Sequence, residues 1–141
     1  MISFHVFRMM GIPTELIVGS VNVEQYVCAI CLDVWYEPRR MSACVHVFCW
    51  DCVLRFYRSL IRQGRTPVCP LCRTEFRSDT LRRVTPALGL LVARLWRRCH
   101  NHGCNEVYRI HNTRNHERSC RFAVVTCSGI IAELWCQDTV S

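Results

Sequence analysis

The 141-residue chain contains no lysine; all 18 of its basic residues are arginine. This excludes every mechanism built on a catalytic lysine, whether Schiff base, phosphate-loop lysine or kinase-type lysine. It also leaves no internal amine to accept a modification, although a codon bias favouring arginine explains the absence without function. Long hydrophobic runs are missing too. Nothing approaches the roughly 18 apolar residues of a membrane span. The first 27 residues are apolar in patches, but His5, Arg8 and Glu15 interrupt them. No basic segment leads into an unbroken apolar core, so a signal peptide is not expected. Collagen-like and low-complexity chains are excluded by composition.

What is abundant is cysteine, with 12 residues. A secreted chain would pair them as disulfides, and a cytoplasmic one would use them as thiolates on metal. The arrangement favours metal. Cys28, Cys31, Cys44, His46, Cys49, Cys52, Cys69 and Cys72 follow the order C-x2-C, C-x-H-x2-C-x2-C, C-x2-C. Eight soft donors make two complete four-ligand sites with none left over, and thiolate with imidazole suits zinc. Each C-x2-C pair fits a tight turn that presents both sulfurs to one ion.

This order of three cysteines, one histidine and four cysteines resembles the RING finger family. LIM and PHD fingers fit less well, because they place the histidine elsewhere. The resemblance implies a small zinc-stabilised α+β fold with cross-braced sites. One zinc would be held by Cys28, Cys31, Cys49 and Cys52, the other by Cys44, His46, Cys69 and Cys72. Phe48 stands where such domains bury an aromatic, and Pro38 falls in the loop before the third ligand. Val53, Phe56, Tyr57, Leu60 and Ile61 recur at helical spacing, predicting a short helix over Cys49–Ile61 that stops near Gly64. Val45 departs from the family, which often has glycine between that cysteine and histidine.

Closed four-ligand sites leave no position for an activated water, so metal-assisted hydrolysis is not expected. The metal would fold a segment of about 45 residues that cannot bury enough apolar surface alone. The resemblance further implies a ubiquitin ligase that binds a ubiquitin-charged conjugating enzyme and forms no covalent intermediate. By position, Ile30, Phe56 and Pro70 would make the shallow apolar groove for that enzyme, with Phe56 standing where many RINGs carry tryptophan. Arg73 would orient ubiquitin, because a guanidinium can bond carbonyl oxygens on two partners at once.

Beyond a polar connector at Arg77–Arg83, Thr85 and Pro86 read as an N-cap and first helical residue. Leu88, Leu91, Val92 and Leu95 form an apolar stripe, with Arg94, Arg97 and Arg98 elsewhere on the wheel. A second donor set follows, Cys99, Cys104, His116 and Cys120, spaced C-x4-C…H-x3-C. His100, His102 and His111 are competing donors. Val107–Ile110 reads as a strand and Asn112–Cys120 as a helix that puts His116 and Cys120 on one face. This set resembles a TRAF-type zinc finger. The whole order resembles ligases of the neuregulin-receptor-degradation and ligand-of-Numb types and the TRAFs. The expected organisation is an unassigned segment at 1–25, the RING at 26–76, linker and amphipathic helix at 77–98, the second finger at 99–127 and a tail at 128–141. Cys127 and Cys136 read as plain buried thiols, since no histidine follows His116 to complete a further finger.

The formal charge of +7 and the pI of about 9.0 overstate the basicity. Three zinc dications add six charges and ten thiolates remove ten, leaving +3. Binding of RNA or DNA through the arginine-rich second module is therefore a lesser alternative, and a catalytically silent adaptor built from two zinc modules is another. The expected partners are a conjugating enzyme, ubiquitin and a protein substrate, in the cytoplasm or nucleus. Without lysine, self-modification through an amine of this chain could use only the Met1 amine.

Overall fold

A computed structural model describes residues 10–123. Met1, Cys127 and Cys136 lie outside the described residues. The strands are short: β1 (Ile17–Val18), β2 (Pro38–Met41), β3 (Val47–Cys49), β4 (Leu81–Arg83), β5 (Trp96–Arg98) and β6 (Val107–Arg109). The helices are α1 (Trp50–Arg62), α2 (Pro86–Ala93) and α3 (Thr113–Ser119). Two antiparallel three-stranded sheets result, ordered β3-β2-β4 and β1-β5-β6. Among the described residues no helix is long and apolar enough to cross a membrane.

The main core lies around the first sheet and α1. Val34, Met41, Phe48 and Val53 are completely buried there, with Trp35, Phe76 and Leu81 nearly so. On α1, Val53 and Leu60 point inward, and Tyr57 packs against Phe76 with ring centroids 5.7 Å apart. Ile61, part of the predicted stripe, is instead exposed. Gly64 does end the helix. Its φ is +66°, its N–H bonds the Ile61 carbonyl, and the Arg65 N–H reaches back to Leu60 at 2.9 Å. This paired closure needs a left-handed residue, which glycine adopts without a Cβ clash.

The predicted cap of α2 is present, with the Thr85 hydroxyl accepting from the Leu88 N–H at 3.4 Å and Pro86 opening the helix. Its apolar stripe is only partly used. Leu88, Val92 and Leu95 face the core, while Leu90 and Leu91 are exposed. Two segments differ from their sequence reading. Arg77–Arg83, read as a connector, supplies β4, in which Arg82 pairs with Arg40 and Leu81 with Met41. Arg97 and Arg98, read as part of a helical wheel, lie on β5 after α2 has ended, and Arg97 is completely buried. Pairing with two neighbouring strands outweighs the helical propensity of this short stretch.

The segment without a motif ties the molecule together. Ile12 is fully buried and exchanges both backbone hydrogen bonds with Val34 at 2.9 Å. A few residues on, Ile17 pairs with Arg97 and Val18 with Trp96. The same strap therefore links the Val34 segment of the main core to the second sheet. Gly11 lies so close to the first C-x2-C turn that a Cβ would sit 2.7 Å from the Cys31 sulfur and 2.7 Å from the Asp33 Cβ. Gly11→Ala should destabilise the fold by about 1–3 kcal/mol, the usual cost of overpacking, read as a lower denaturant midpoint.

Candidate metal centres

Three groups of four donors come together: Cys28, Cys31, Cys49 and Cys52; Cys44, His46, Cys69 and Cys72; and Cys99, Cys104, His116 and Cys120. Within each group the donor atoms lie within 4.8 Å of one another. The first two groups interleave along the chain, which is the cross-brace. His111 bonds the Ala93 carbonyl through Nδ1 at 3.0 Å, and none of the three competing histidines joins the third group.

Atom separations test the fit to zinc. Tetrahedral zinc, with bonds of about 2.3 Å to sulfur and 2.0–2.1 Å to nitrogen, sets sulfurs roughly 3.8 Å apart and sulfur from nitrogen roughly 3.6 Å. The Cys31–Cys49 and Cys99–Cys120 sulfurs are each 3.9 Å apart. Cys69 Sγ lies 3.6 Å from His46 Nδ1, and Cys104 Sγ lies 3.6 Å from His116 Nε2. Donor chemistry and spacing both suit zinc, so the chain has sites for two ions between residues 28 and 72 and for a third between 99 and 120.

Local backbone geometry explains how each turn presents its sulfurs. Leu32 and Arg73, directly after the second cysteine of their pairs, are left-handed at φ +64° and +61°. Their N–H groups bond the carbonyls of Cys28 and Cys69 at 2.7 and 2.9 Å. Cys28 and Cys69 in turn donate to Asp33 and Thr74, both at 2.8 Å. The two turns are thus copies of one knuckle. Further donors reach the sulfurs: Tyr36 N–H to Cys49 at 3.3 Å, Cys49 N–H to Cys28 at 3.5 Å, and the Asn101 side-chain amide to Cys120 at 3.3 Å. In the second finger, the His116 ring stacks on Tyr108 at 4.3 Å, which fixes the imidazole plane.

The thiols differ in acidity without metal. Burial pushes Cys44 and Cys99 up to about 11. Hydrogen bonds from the Thr74 hydroxyl and backbone bring Cys72 down to about 6. Cys28 is lowered because the neighbouring Cys49 and Cys52 thiols bond its sulfur, and Cys49 is raised for donating to it. Zinc must displace the retained protons, so its binding weakens as pH falls.

Val45 also occupies the left-handed region, at φ +58°, and is exposed. The side chain is β-branched, for which this conformation costs about 1–2 kcal/mol. Val45→Gly should relieve it, with a net gain of about 0.5–1 kcal/mol after the greater entropy of unfolded glycine. A higher midpoint in thermal unfolding would register the gain.

The family model described as RING-type zinc-finger matches residues 28–70. This segment is a RING-type zinc finger. The match ends two residues before Cys72, which the geometry adds to the RING. The protein named E3 ubiquitin-protein ligase RNF166 from Homo sapiens is 31% identical over 103 residues, covering 72% of this chain and 40% of the relative. E3 ubiquitin-protein ligase NRDP1 from Danio rerio is 28% identical over 113 residues, covering 79% of this chain and 33% of the relative. E3 ubiquitin-protein ligase RNF180 from Pongo abelii is 43% identical over 53 residues, covering 36% of this chain and 8% of the relative. The chain thus spans less than half the length of these relatives.

Around the RING, exposure separates the sequence-predicted contact residues. Pro70 and Arg73 are exposed, whereas Ile30 and Phe56 are half-buried against the core. Two residues escaped the sequence reading: Leu32 at 71% exposure and Leu71 at 55%, one on each knuckle. Their place beside knuckle cysteines was the available signal. Asn101 and Thr74, the sulfur donors, were equally visible as polar neighbours of ligands.

Proposed function

We propose that this chain acts as a RING-type E3 ubiquitin ligase. Its RING binds a ubiquitin-charged conjugating enzyme, and its second, TRAF-like finger recruits the substrate or a partner. The observation that carries this reading is the pair of matching knuckles, each with an exposed leucine beside its cysteines, in a segment shared with three proteins named E3 ubiquitin-protein ligases. Bound zinc supplies folding, since all four positions of each ion are taken by protein.

The remaining work belongs to side chains. Ile30, Leu32, Phe56, Pro70 and Leu71 offer apolar surface to the conjugating enzyme. Phe56 fills less space than tryptophan and has no N–H donor, which narrows the choice of enzyme. Arg73 is exposed on its knuckle, with its backbone fixed by the bond to Cys69. From there its guanidinium bonds carbonyls of ubiquitin and of the conjugating enzyme, confining a mobile thioester to poses an amine can attack. Restricting geometry in this way is worth orders of magnitude in rate.

Arg73→Ala should slow ubiquitin discharge from a charged conjugating enzyme onto free lysine by about 10–100-fold, with the zinc content unchanged in a native mass spectrum. Unchanged discharge in the variant would refute this role for Arg73. Wild-type discharge at background across a panel of conjugating enzymes would refute the ligase reading and favour the silent adaptor.

A further inference from the structure

The sheet β1-β5-β6 has two very different faces. Alternation along the strands turns Ile17, Arg97 and Tyr108 inward, where Arg97 is completely buried and Tyr108 nearly so. The other face carries Val18, Trp96 and Arg109 in one row across the three strands, with Arg98 and Val107 paired in the next. On that face Trp96 is 45% exposed and Val107 41%. Neither the metal sites nor the RING contacts use it.

The face is organised. The Arg109 guanidinium lies over the Trp96 ring, 4.5 Å from its centroid. It is held there by donating to the Arg94 carbonyl at 2.7 Å. A stacked, tethered guanidinium has already lost much of its rotamer freedom, so a ligand that meets it pays less for ordering. Among the described residues no carboxylate pairs with Arg94, Arg98 or Arg109. The acidic residues nearby in the chain are Glu15, ahead of β1, Glu106, ahead of β6, and Glu117, half-buried and facing Arg97 and Arg114. The surface therefore offers an aromatic anchor among unneutralised arginines, the residue types enriched at interaction hot spots.

We propose that this outer face docks an extended acidic segment of a partner protein, an apolar residue of that segment seated on Trp96 and its carboxylates paired with Arg98 and Arg109. Three strands span only roughly 10 Å, which suits a short peptide. A nucleic acid fits less well: three arginines neutralise few phosphates, and affinity for a polyanion rests on that number. The proposal deepens the reading that the second finger recruits substrates, and it rests on that reading.

The test selects binders from a displayed library of random 12-residue peptides, using the zinc-loaded 141-residue chain. Enriched sequences should combine Asp or Glu with a central apolar or aromatic residue. Synthetic versions should bind Trp96→Ala, and separately the doubly reversed Arg98→Glu, Arg109→Glu, at least tenfold more weakly than wild type. Native mass spectra should show unchanged zinc in these variants, and the reversed pair guards against any packing loss at Trp96. Enrichment of neutral or basic peptides, no enrichment at all, or binding indifferent to both variants would overturn the proposal. So would a single-stranded RNA of ten nucleotides that binds this face more tightly than the best peptide. Discharge onto free lysine is measured alongside. Peptide binding without discharge would sink the ligase reading alone, and normal discharge with failed peptide binding would sink the docking face alone.

Discussion

Removing zinc with a chelator is expected to unfold the chain, with loss of helix signal and of the dispersed spectrum of a packed core. Cys28, Cys49, Cys52 and Cys69 are core residues as well as donors, each 1% exposed or less. Without metal, the thiols that burial holds protonated become weak polar groups crowded together, and the knuckles lose what joins them to α1 and β3. Apparent binding of zinc in small zinc-folded modules is worth roughly 10–16 kcal/mol at neutral pH, more than a module this size derives from its apolar core. Acid should act in the same direction. Cys44 and Cys99, both near 11 when metal-free, take up protons readily as zinc leaves, so the chelator concentration needed for unfolding should fall from pH 8 to pH 6. A circular dichroism titration at the two pH values measures both effects. Retention of the native spectrum after complete metal removal would contradict the structural role assigned to all three sites.

The second large effect is expected at Arg97. It is completely buried on β5, donating from Nε to the Arg98 carbonyl at 3.2 Å and from a terminal nitrogen to the Thr113 hydroxyl at 3.5 Å. Its guanidinium lies 5.5 Å from the centre of the Tyr108 ring, whose other neighbour is the zinc-ligand candidate His116. A buried charge with partners is costly to lose, because the cavity and the stranded partners both count. Arg97→Ala should destabilise the second finger by about 2–5 kcal/mol, the range for truncating a large buried side chain. Native mass spectra should then show release of the third zinc at chelator concentrations that leave the RING ions bound. Arg97→Met keeps most of the volume without the charge, so the difference between the variants separates packing from electrostatics. Equal zinc retention in wild type and Arg97→Ala would show that the stack on His116 does not depend on Arg97.

What was legible in the sequence was chemistry that repeats locally. Twelve donors stood at characteristic spacings, which the resemblance to RING and TRAF-type fingers sorted into three four-ligand groups. α1 and α2 announced themselves through apolar spacing, Gly64, Thr85 and Pro86, and α3 through the spacing of His116 and Cys120. Pairings over long distances were not legible. β1 has two residues and meets β5 nearly eighty residues later, too short a strand for any alternation to show. Arg82 and Arg83 disguise β4 as solvent-facing connector, although it pairs along its length with β2. Arg97 read as a residue off the apolar stripe of a helix. Only the fold reveals Tyr108 and Thr113 opposite it, and a buried arginine is stable only where such partners wait. Val45 was noted as a departure from glycine, and its positive φ supplies the physical reason glycine is common there.

The strap from Gly11 to Val18 has a mechanical consequence. It is pinned to the RING through Ile12 and to the second sheet through β1, while Arg114 of α3 pairs with Glu37 of the RING. Two such links, far apart in sequence, join at two places what could have been beads on a string. Under the proposed division of roles, cargo held by the second finger would sit at a set reach from the RING, and a target's own shape would decide which of its amines come within range.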